Sequence, residues 1–294
     1  AMTDILRPRR SVLYLPAANP RAIAKARTVD ADCIILDLED AVAPDAKVEA
    51  RAAAVAAVAE GDWGHREVLI RVNSLATVWS IDDFAAVAAS HAAGIVVPKV
   101  DSAREAEEAV ARSHGKPVWA MIETPRAIFD AADIAATEGV TALLAGMADL
   151  TKDLRAKPTP DRLALVFALS TIVMAARAAE IQAFDGVFTD IADEAGLAAE
   201  ALQGAQFGFD GKTLIHPSQI ATANRLFAPD AAEIDHARGL IAAFEAGQAA
   251  GKGVTTFDGK MIELLHVGVA RRTLVVADAI AGRVGAARAS GGQA

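Results

Sequence analysis

Short aliphatic runs recur along the chain, and each is followed by a stretch of helical character. The runs are Ser11–Leu15, Cys33–Leu38, Val68–Val72, Gly94–Val97, Val118–Ile122, Ala142–Ala145, Ala183–Phe188 and Thr213–Ile215. Each is short enough for a strand and rich in Val, Ile or Leu. Between them, Asn19-Pro20, Ala43-Pro44, Thr124-Pro125 and Thr159-Pro160 put proline at a first helical position, with Asn19, Thr124 and Thr159 as N-caps. Ala-rich stretches such as Val48–Ala59 and Phe84–Ala93 add helix propensity. Strand and helix alternating eight times predict an α/β protein, a (β/α)8 TIM barrel. The competing doubly wound open sheet favours a Gly-rich phosphate turn after an early strand. Here the first run ends Leu15-Pro16-Ala17-Ala18 instead.

The rhythm changes at Pro229. Asp230–Ala249 is expected as one helix, Gly251-Lys252-Gly253 as a break, Lys260–Ile280 as a second long helix and Ala289–Ala294 as a frayed tail. This divides the chain into a barrel domain, 1–228, and a C-terminal helical extension, 229–294. The extension is expected to cover the barrel mouth or to reach a neighbouring subunit. The longest apolar stretch, Leu163 to Ala176, lies between Arg162 and Arg177. It is too short to span a bilayer, which predicts a buried helix.

Composition agrees with this architecture. Of the 294 residues 53% are hydrophobic but only 5% aromatic, so the core is aliphatic, as buried parallel strands require. The net charge is −9 and no stretch is strongly basic, which argues against nucleic acid as a partner. Cys33 is the single cysteine, so an internal disulfide is impossible and a Cys-based zinc site is disfavoured. It reads as a small core residue. No signal peptide is visible, and Ala1-Met2 reads as an addition ahead of the natural start. A soluble, cytoplasmic enzyme with no membrane partner is expected.

In a barrel of this kind chemistry sits at the C-terminal ends of the strands. Those ends are polar here: Asp37-Leu38-Glu39-Asp40, Arg71-Val72-Asn73, Pro98-Lys99, Glu123-Thr124, Gly146-Met147-Ala148-Asp149 and His216-Pro217. Glu123 and Asp149, ending adjacent strands, suit Mg²⁺ or Mn²⁺, though two solvated loop acids would look the same. Arg71 can bind a carboxylate or oxyanion, or it can be a structural ion pair of Asp37, Glu39 or Asp40. Lys99 has the same two readings. His216 reads as a hydrogen-bonded structural residue ahead of a general base. The helix opening at Asn19-Pro20, with Arg21 and Lys25, suits a phosphate or is ordinary capping.

Together these motifs resemble the citrate lyase β-subunit family of the HpcH/HpaI aldolase superfamily, which includes malyl-CoA, β-methylmalyl-CoA and citramalyl-CoA lyases. The resemblance runs through Ser11-Val12-Leu13-Tyr14-Leu15-Pro16, Leu36-Asp37-Leu38-Glu39-Asp40-Ala41-Val42, Arg71-Val72-Asn73, Pro98-Lys99, Ile122-Glu123-Thr124 and Gly146-Met147-Ala148-Asp149-Leu150. It continues in Gly208-Phe209-Asp210-Gly211-Lys212, Ile215-His216-Pro217-Ser218-Gln219 and Asp258-Gly259-Lys260-Met261-Ile262-Glu263. No single motif is specific; their order and spacing are.

The resemblance implies that Glu123 and Asp149 hold Mg²⁺ and that Arg71 contacts the reacting acyl group. Arg71, Asn73 and Lys99 would bind substrate, and Asp37, Glu39 and Asp40 would orient them. Tyr14, Asn19 and Lys25 would lie where coenzyme A binds. It further implies a homotrimer or homohexamer in which Glu263 acts as acid or base at a neighbour's site. The implied reaction is reversible retro-Claisen cleavage of a 3-hydroxyacyl-CoA, of the malyl-CoA or citramalyl-CoA type, to an acyl-CoA and an α-keto acid. The alternatives are a malyl-CoA thioesterase using the same metal site, a pyruvate-type aldolase without CoA, and a non-catalytic or carrier-dependent subunit of a citrate-lyase-like complex. Two positions depart from the family pattern: Ala17 stands where glycine is common, and Glu263 where aspartate is common.

Overall fold

Eight parallel strands close on themselves in sequence order in the computed structural model, which describes residues 7–251 and 254–291. They are β1 (Ser11–Pro16), β2 (Cys33–Asp37), β3 (Glu67–Arg71), β4 (Gly94–Val97), β5 (Val118–Ile122), β6 (Val140–Ala145), β7 (Gln182–Asp185) and β8 (Gly211–Leu214), with β8 paired to β1. Helices α1 (Pro20–Ala26), α2 (Lys47–Glu60), α3 (Ser80–Ala88), α4 (Ala103–Ser113), α5 (Pro125–Ala136), α6 (Met147–Asp153), α7 (Val166–Ala178), α8 (Glu194–Phe207) and α9 (Ile220–Leu226) connect and follow them. The fold is the expected (β/α)8 TIM barrel. All eight aliphatic runs are strands, displaced at their ends by a few residues. The seventh stops at Asp185 and not at Phe188, and the eighth starts at Gly211.

Strand side chains alternate between two layers, as a period of two demands. Val12, Cys33, Ile35, Leu69, Val96, Trp119, Met121, Ala142, Leu144 and Phe184 fill the barrel interior, where Trp119 stacks on Phe184 at 4.8 Å. The alternate positions, such as Leu13, Ile34, Ile70, Ile95 and Leu143, pack outward in the other core cluster, with helix residues. Arg9 lies 5.3 Å over the Trp119 ring, pairs with Glu67 at 2.6 Å and hydrogen-bonds Gln182. These polar residues close the end of the barrel where the strands begin.

Asn19 and Thr124 cap α1 and α5 as expected, each accepting a backbone N–H three residues on. Thr159-Pro160 does not open a helix. Its hydroxyl turns to Asp161, and the chain enters α7 only after a 3-10 turn at Leu163–Leu165. The apolar stretch Leu163 to Ala176 is not wholly buried either: Ile172 and Ala176 are in the core, but Leu163, Phe167 and Met174 are exposed. An α-helix on a barrel has an outer face, and apolar composition alone does not report it.

Arg9–Phe227 forms one compact unit, and the described residues before Arg9 and from Ala228 on belong to a second. In the second unit α10 (Ala231–Ala249) starts at an Asp230–Glu233 capping box and packs with α11 (Leu264–Gly291) around Ala237, Leu240, Ile262, Val267 and Ala270. The expected helix over Lys260–Ile280 is corrected at its start. Lys260–Ile262 is strand β10, paired antiparallel to β9 (Thr255–Phe257). Asp258 and Gly259 both have positive φ at the turn, which is the usual Asp-Gly hairpin geometry. The hairpin lies close on α10 because Gly239 and Gly247, eight residues apart on one helix face, leave room for Phe257 and Thr255. The expected addition at Ala1-Met2, the break at Gly251-Lys252-Gly253 and the tail from Ala289 fall wholly or partly outside the described residues. Among the described residues no helix is long and apolar enough to cross a membrane.

Candidate active site

The period that fills the barrel with apolar side chains delivers charged ones at its C-terminal rim. Two residues beyond inward Ile35 comes Asp37, beyond Leu69 comes Arg71, and beyond Met121 comes Glu123. A cavity of about 390 Å³ opens there, lined among others by Tyr14, Asp37, Arg71, Met121, Glu123 and Asp149.

Arg71 is buried and thoroughly held. Its Nε and Nη2 donate to the two Asp37 oxygens, both at 2.7 Å, and its Nη1 lies 2.8 Å from Glu39 Oε2. Tyr14 places its ring 4.8 Å from the guanidinium and donates its hydroxyl to Met121 Sδ at 3.7 Å. Burial opposes the Arg71 charge, but the hydrogen bonds and charge of Asp37, with Tyr14 and Glu39, outweigh it and raise its pKa. Burial raises the Tyr14 phenol as well. Both expected readings of Arg71 are thus compatible: it is a structural ion pair, and it still lines the cavity. Asp37 in turn accepts the Glu39 and Ala41 N–H groups, so the acidic loop after β2 is wound around the carboxylate that orients Arg71. Asp40 is exposed, 4.0 Å from Arg71 at its nearest.

Glu123 is buried at the end of β5, and the Lys99 backbone N–H donates to its Oε1 at 2.6 Å. Burial first and the Glu39 charge second push its carboxyl up to about 7, against the Lys99 N–H and the charges of Arg71 and Lys99. Asp149 does not end a strand as expected. β6 stops at Ala145, and Asp149 sits in the first turn of α6, half-exposed, with Lys152 at 3.6 Å. The hinge between β6 and α6 is Gly146, whose missing side chain leaves the space that Glu123 takes: a methyl there would collide with Glu123 Cβ and Oε2. A Gly directly after a buried run, Gly146 after β6, is the sequence signal for this cradle.

The donor set fits a hard dication. Four carboxylates line one cavity; Asp37 is taken up by Arg71 and Asp40 lies on the exposed loop after β2, which leaves Glu123, in a seat that only glycine permits, and Asp149. Among the described residues no group of three or more His, Cys, Asp or Glu gathers to hold a metal. A pair of carboxylates with the other positions left to water and substrate oxygens is the arrangement Mg²⁺ accepts.

Five expected site residues lie elsewhere or act differently. Asn73 is buried and gives both its amide and its backbone N–H to Asp83 of α3, at 2.6 and 3.0 Å, so it is placed as a loop anchor and not at the cavity wall. Lys99 also does not line the cavity; its ammonium donates to Glu39 Oε1 at 2.8 Å. Asn19 and Lys25 are exposed at opposite ends of α1, whereas Tyr14 on β1 is half-buried and lines the cavity. Glu263 belongs to the second unit, where it is exposed between β10 and α11 and its N–H donates to His266 Nδ1 at 2.9 Å. His216 is hydrogen-bonded, as the structural reading expects, and it caps a 3-10 turn: its Nδ1 meets Ser218 at 2.8 Å and accepts the Ser218 N–H.

Residues 10–217 match the model of a family described as HpcH/HpaI aldolase/citrate lyase. A (3S)-malyl-CoA thioesterase of Cereibacter sphaeroides is 46% identical over 93% of this chain and 96% of its own. A citrate lyase subunit beta of Escherichia coli is 38% identical over 87% of this chain and 89% of its own. Among solved structures, protein CitE from Mycobacterium tuberculosis in complex with magnesium, acetoacetate and coenzyme A superposes with a TM-score of 0.77 at 31% identity, over 91% of this chain and 97% of that one.

Proposed function

Because the chain belongs to the HpcH/HpaI aldolase/citrate lyase family, we propose that it is an enzyme that cleaves the CoA thioester of a 3-hydroxy acid of the malyl type. Glu123 and Asp149 would hold Mg²⁺, and Arg71 would meet the thioester carbonyl. The observation that carries this reading is one cavity lined by Glu123, Asp149 and a buried, ion-paired arginine. The CitE structure described with magnesium, acetoacetate and coenzyme A supports the same ligands for this chain. Mn²⁺ suits the same oxygen donors. The bound dication would supply positive charge at the substrate's carboxylate and hydroxyl oxygens and lower the hydroxyl pKa.

The chain's own residues do the rest. Asp37 and Glu39 lock the Arg71 fork, so the Nη2 N–H left over is in place before charge develops on the carbonyl oxygen. Met121, Met147 and the Tyr14 ring give that oxygen apolar surroundings, in which the interaction is strong. Asn19, Arg21 and Lys25 on exposed α1 would meet the coenzyme A phosphates. Glu263 would act as acid or base in the site of a neighbouring subunit, within a homotrimer or homohexamer.

Two bonds of malyl-CoA are open to such a site. In hydrolysis the C–S bond breaks, water oxygen joins the carbonyl carbon, and a water proton goes to the thiolate, giving malate and free CoA. In retro-Claisen cleavage the hydroxyl proton leaves, the C2–C3 bond breaks, and the resulting thioester enolate takes a proton at carbon, giving glyoxylate and acetyl-CoA. Arg71 stabilises the oxyanion in either case. We put hydrolysis first, because the thioesterase relatives are more similar over more of the chain, 46% against 38% for citrate lyase subunit beta. The lyase reading keeps the support of the latter. The test is to give the isolated protein malyl-CoA and Mg²⁺ and to follow malate, free CoA, glyoxylate and acetyl-CoA separately. Malate and CoA in equal amounts are expected. Glyoxylate with acetyl-CoA would replace the hydrolase by the lyase, and no turnover of any free CoA ester would favour a carrier-dependent subunit.

A further inference from the structure

We propose that Lys99 is the positioning residue that ties the two halves of the site together, with its backbone holding Glu123 and its side chain holding Glu39 and through it Arg71. The proposal rests on the reading of Glu123 as a metal ligand. Lys99 follows Pro98 at the end of β4 and has φ +53°, a left-handed conformation that side-chain-bearing residues seldom adopt. Such a conformation persists only where its surroundings enforce it, and it concentrates at functional sites. Here the backbone turn presents the Lys99 N–H to Glu123 Oε1 at 2.6 Å, while the ammonium reaches Glu39 Oε1 at 2.8 Å.

Glu39 Oε2 faces Arg71 Nη1 at 2.8 Å, and Arg71 is held by Asp37. One residue is therefore bonded on its main-chain side to the candidate metal ligand and on its side-chain side to the arginine's counter-ion. The two attachments have separate physical requirements. The backbone bond needs only a positive φ, which glycine adopts without strain and a β-branched residue resists. The side-chain bond needs only a cation. The Lys99 side chain is 39% exposed and does not line the cavity, so its ammonium acts through Glu39 and not on substrate.

The experiment uses the whole chain and reads two quantities: Mn²⁺ affinity by electron paramagnetic resonance without substrate, and kcat and KM on malyl-CoA. Lys99→Gly should keep Mn²⁺ affinity within about twofold of wild type while kcat falls roughly 10- to 100-fold, the usual effect of losing an outer partner. Lys99→Val should lose roughly 10- to 100-fold in Mn²⁺ affinity as well. Lys99→Ala, which strains the same φ more mildly, should fall between them and covers a failure of the Val variant to fold. Lys99→Arg should recover much of the kcat lost in the Gly variant.

Equal Mn²⁺ affinity in the Gly, Ala and Val variants would overturn the backbone role. Unchanged kcat in Lys99→Gly would overturn the side-chain role. A wild-type protein that takes up no Mn²⁺ would instead overturn the metal reading on which the proposal stands.

Discussion

At the scale of single residues, the site is organised by what burial does to charge. Among the carboxylates Glu123 shows it, with its carboxyl pushed from 4.5 up to about 7. In the metal-free protein the folded state then keeps a proton that the unfolded state releases. The stability contributed by the protonated acid is complete below 4.5 and is lost as pH rises through about 7. A shift of that size corresponds to about 3 kcal/mol. The metal-free protein should therefore lose stability relative to Glu123→Gln between pH 5 and pH 8, as read by urea unfolding. A pH-independent difference would show that the carboxyl titrates normally. With Mg²⁺ present, Glu123→Gln should fold yet have no metal-dependent turnover, and full activity at saturating substrate would remove Glu123 from the ligand set. Arg71 acts through geometry. Its fork matches Asp37 with two bonds of 2.7 Å, which an ammonium cannot reproduce. Arg71→Lys should lower kcat more than it raises KM, and an effect confined to KM would make Arg71 a ground-state binder.

At the scale of elements, a buried ionic cluster links β7, β8, α8 and the segment ahead of α7. Lys212 of β8 is fully buried and donates to Asp185 of β7 at 3.0 Å, to Glu200 of α8 at 2.7 Å and to the Gly186 carbonyl at 2.6 Å. Arg162, ahead of α7, donates to the other Asp185 oxygen at 2.7 Å. Burial opposes the Asp185 charge, but Lys212 and Arg162 outweigh it and hold its pKa low. Asp185→Asn would leave two buried cations with one fewer anion between them. It should destabilise the protein by roughly 3–5 kcal/mol, visible as a lowered urea midpoint. A loss below about 1 kcal/mol, the range of exposed pairs, would mean that water reaches the cluster. The hairpin shows the other way an element can be legible. Thr255 to Ile262 reads as two short β-prone runs around Asp258-Gly259, yet the apolar residues that follow it, Leu264 onward, invite a helix starting too early. Local turn chemistry won over helical periodicity.

At the scale of the whole molecule, the family resemblance assigns Glu263 to a neighbour's site, and this is tested by complementation. Glu123→Gln and Glu263→Ala proteins, each inactive alone, should regain part of the activity when mixed under conditions that exchange subunits. In a trimer with both lesions distributed at random, some sites combine an intact barrel with an intact Glu263. Exchange confirmed by mass, with no recovery, would place Glu263 in its own chain's site or in none. Sedimentation of the wild-type protein should show a trimer or hexamer, and a monomer at working concentration would exclude action across subunits.

The barrel was legible in the sequence because its causes are local. A strand buried on both faces must be aliphatic on both faces, so the eight runs announce themselves without knowledge of their neighbours. The family motifs then pointed to the segments expected to carry chemistry, and Arg71, Glu123 and Asp149 do line one cavity. Only the tertiary structure decided what each polar residue touches, because a side chain at a strand end can turn to any of several partners that lie far off in the chain. Asn73 turned to Asp83, ten residues on but in another element. Lys99 turned to Glu39, sixty residues back, and gave its N–H to Glu123 through a backbone angle no propensity predicts. Gly146 became part of the site only once β5 lay beside β6 and Glu123 needed the space above it. Periodicity is a property of consecutive residues and survives in the sequence. Contact across the barrel rim is a property of closure, and it exists only when the strands have met.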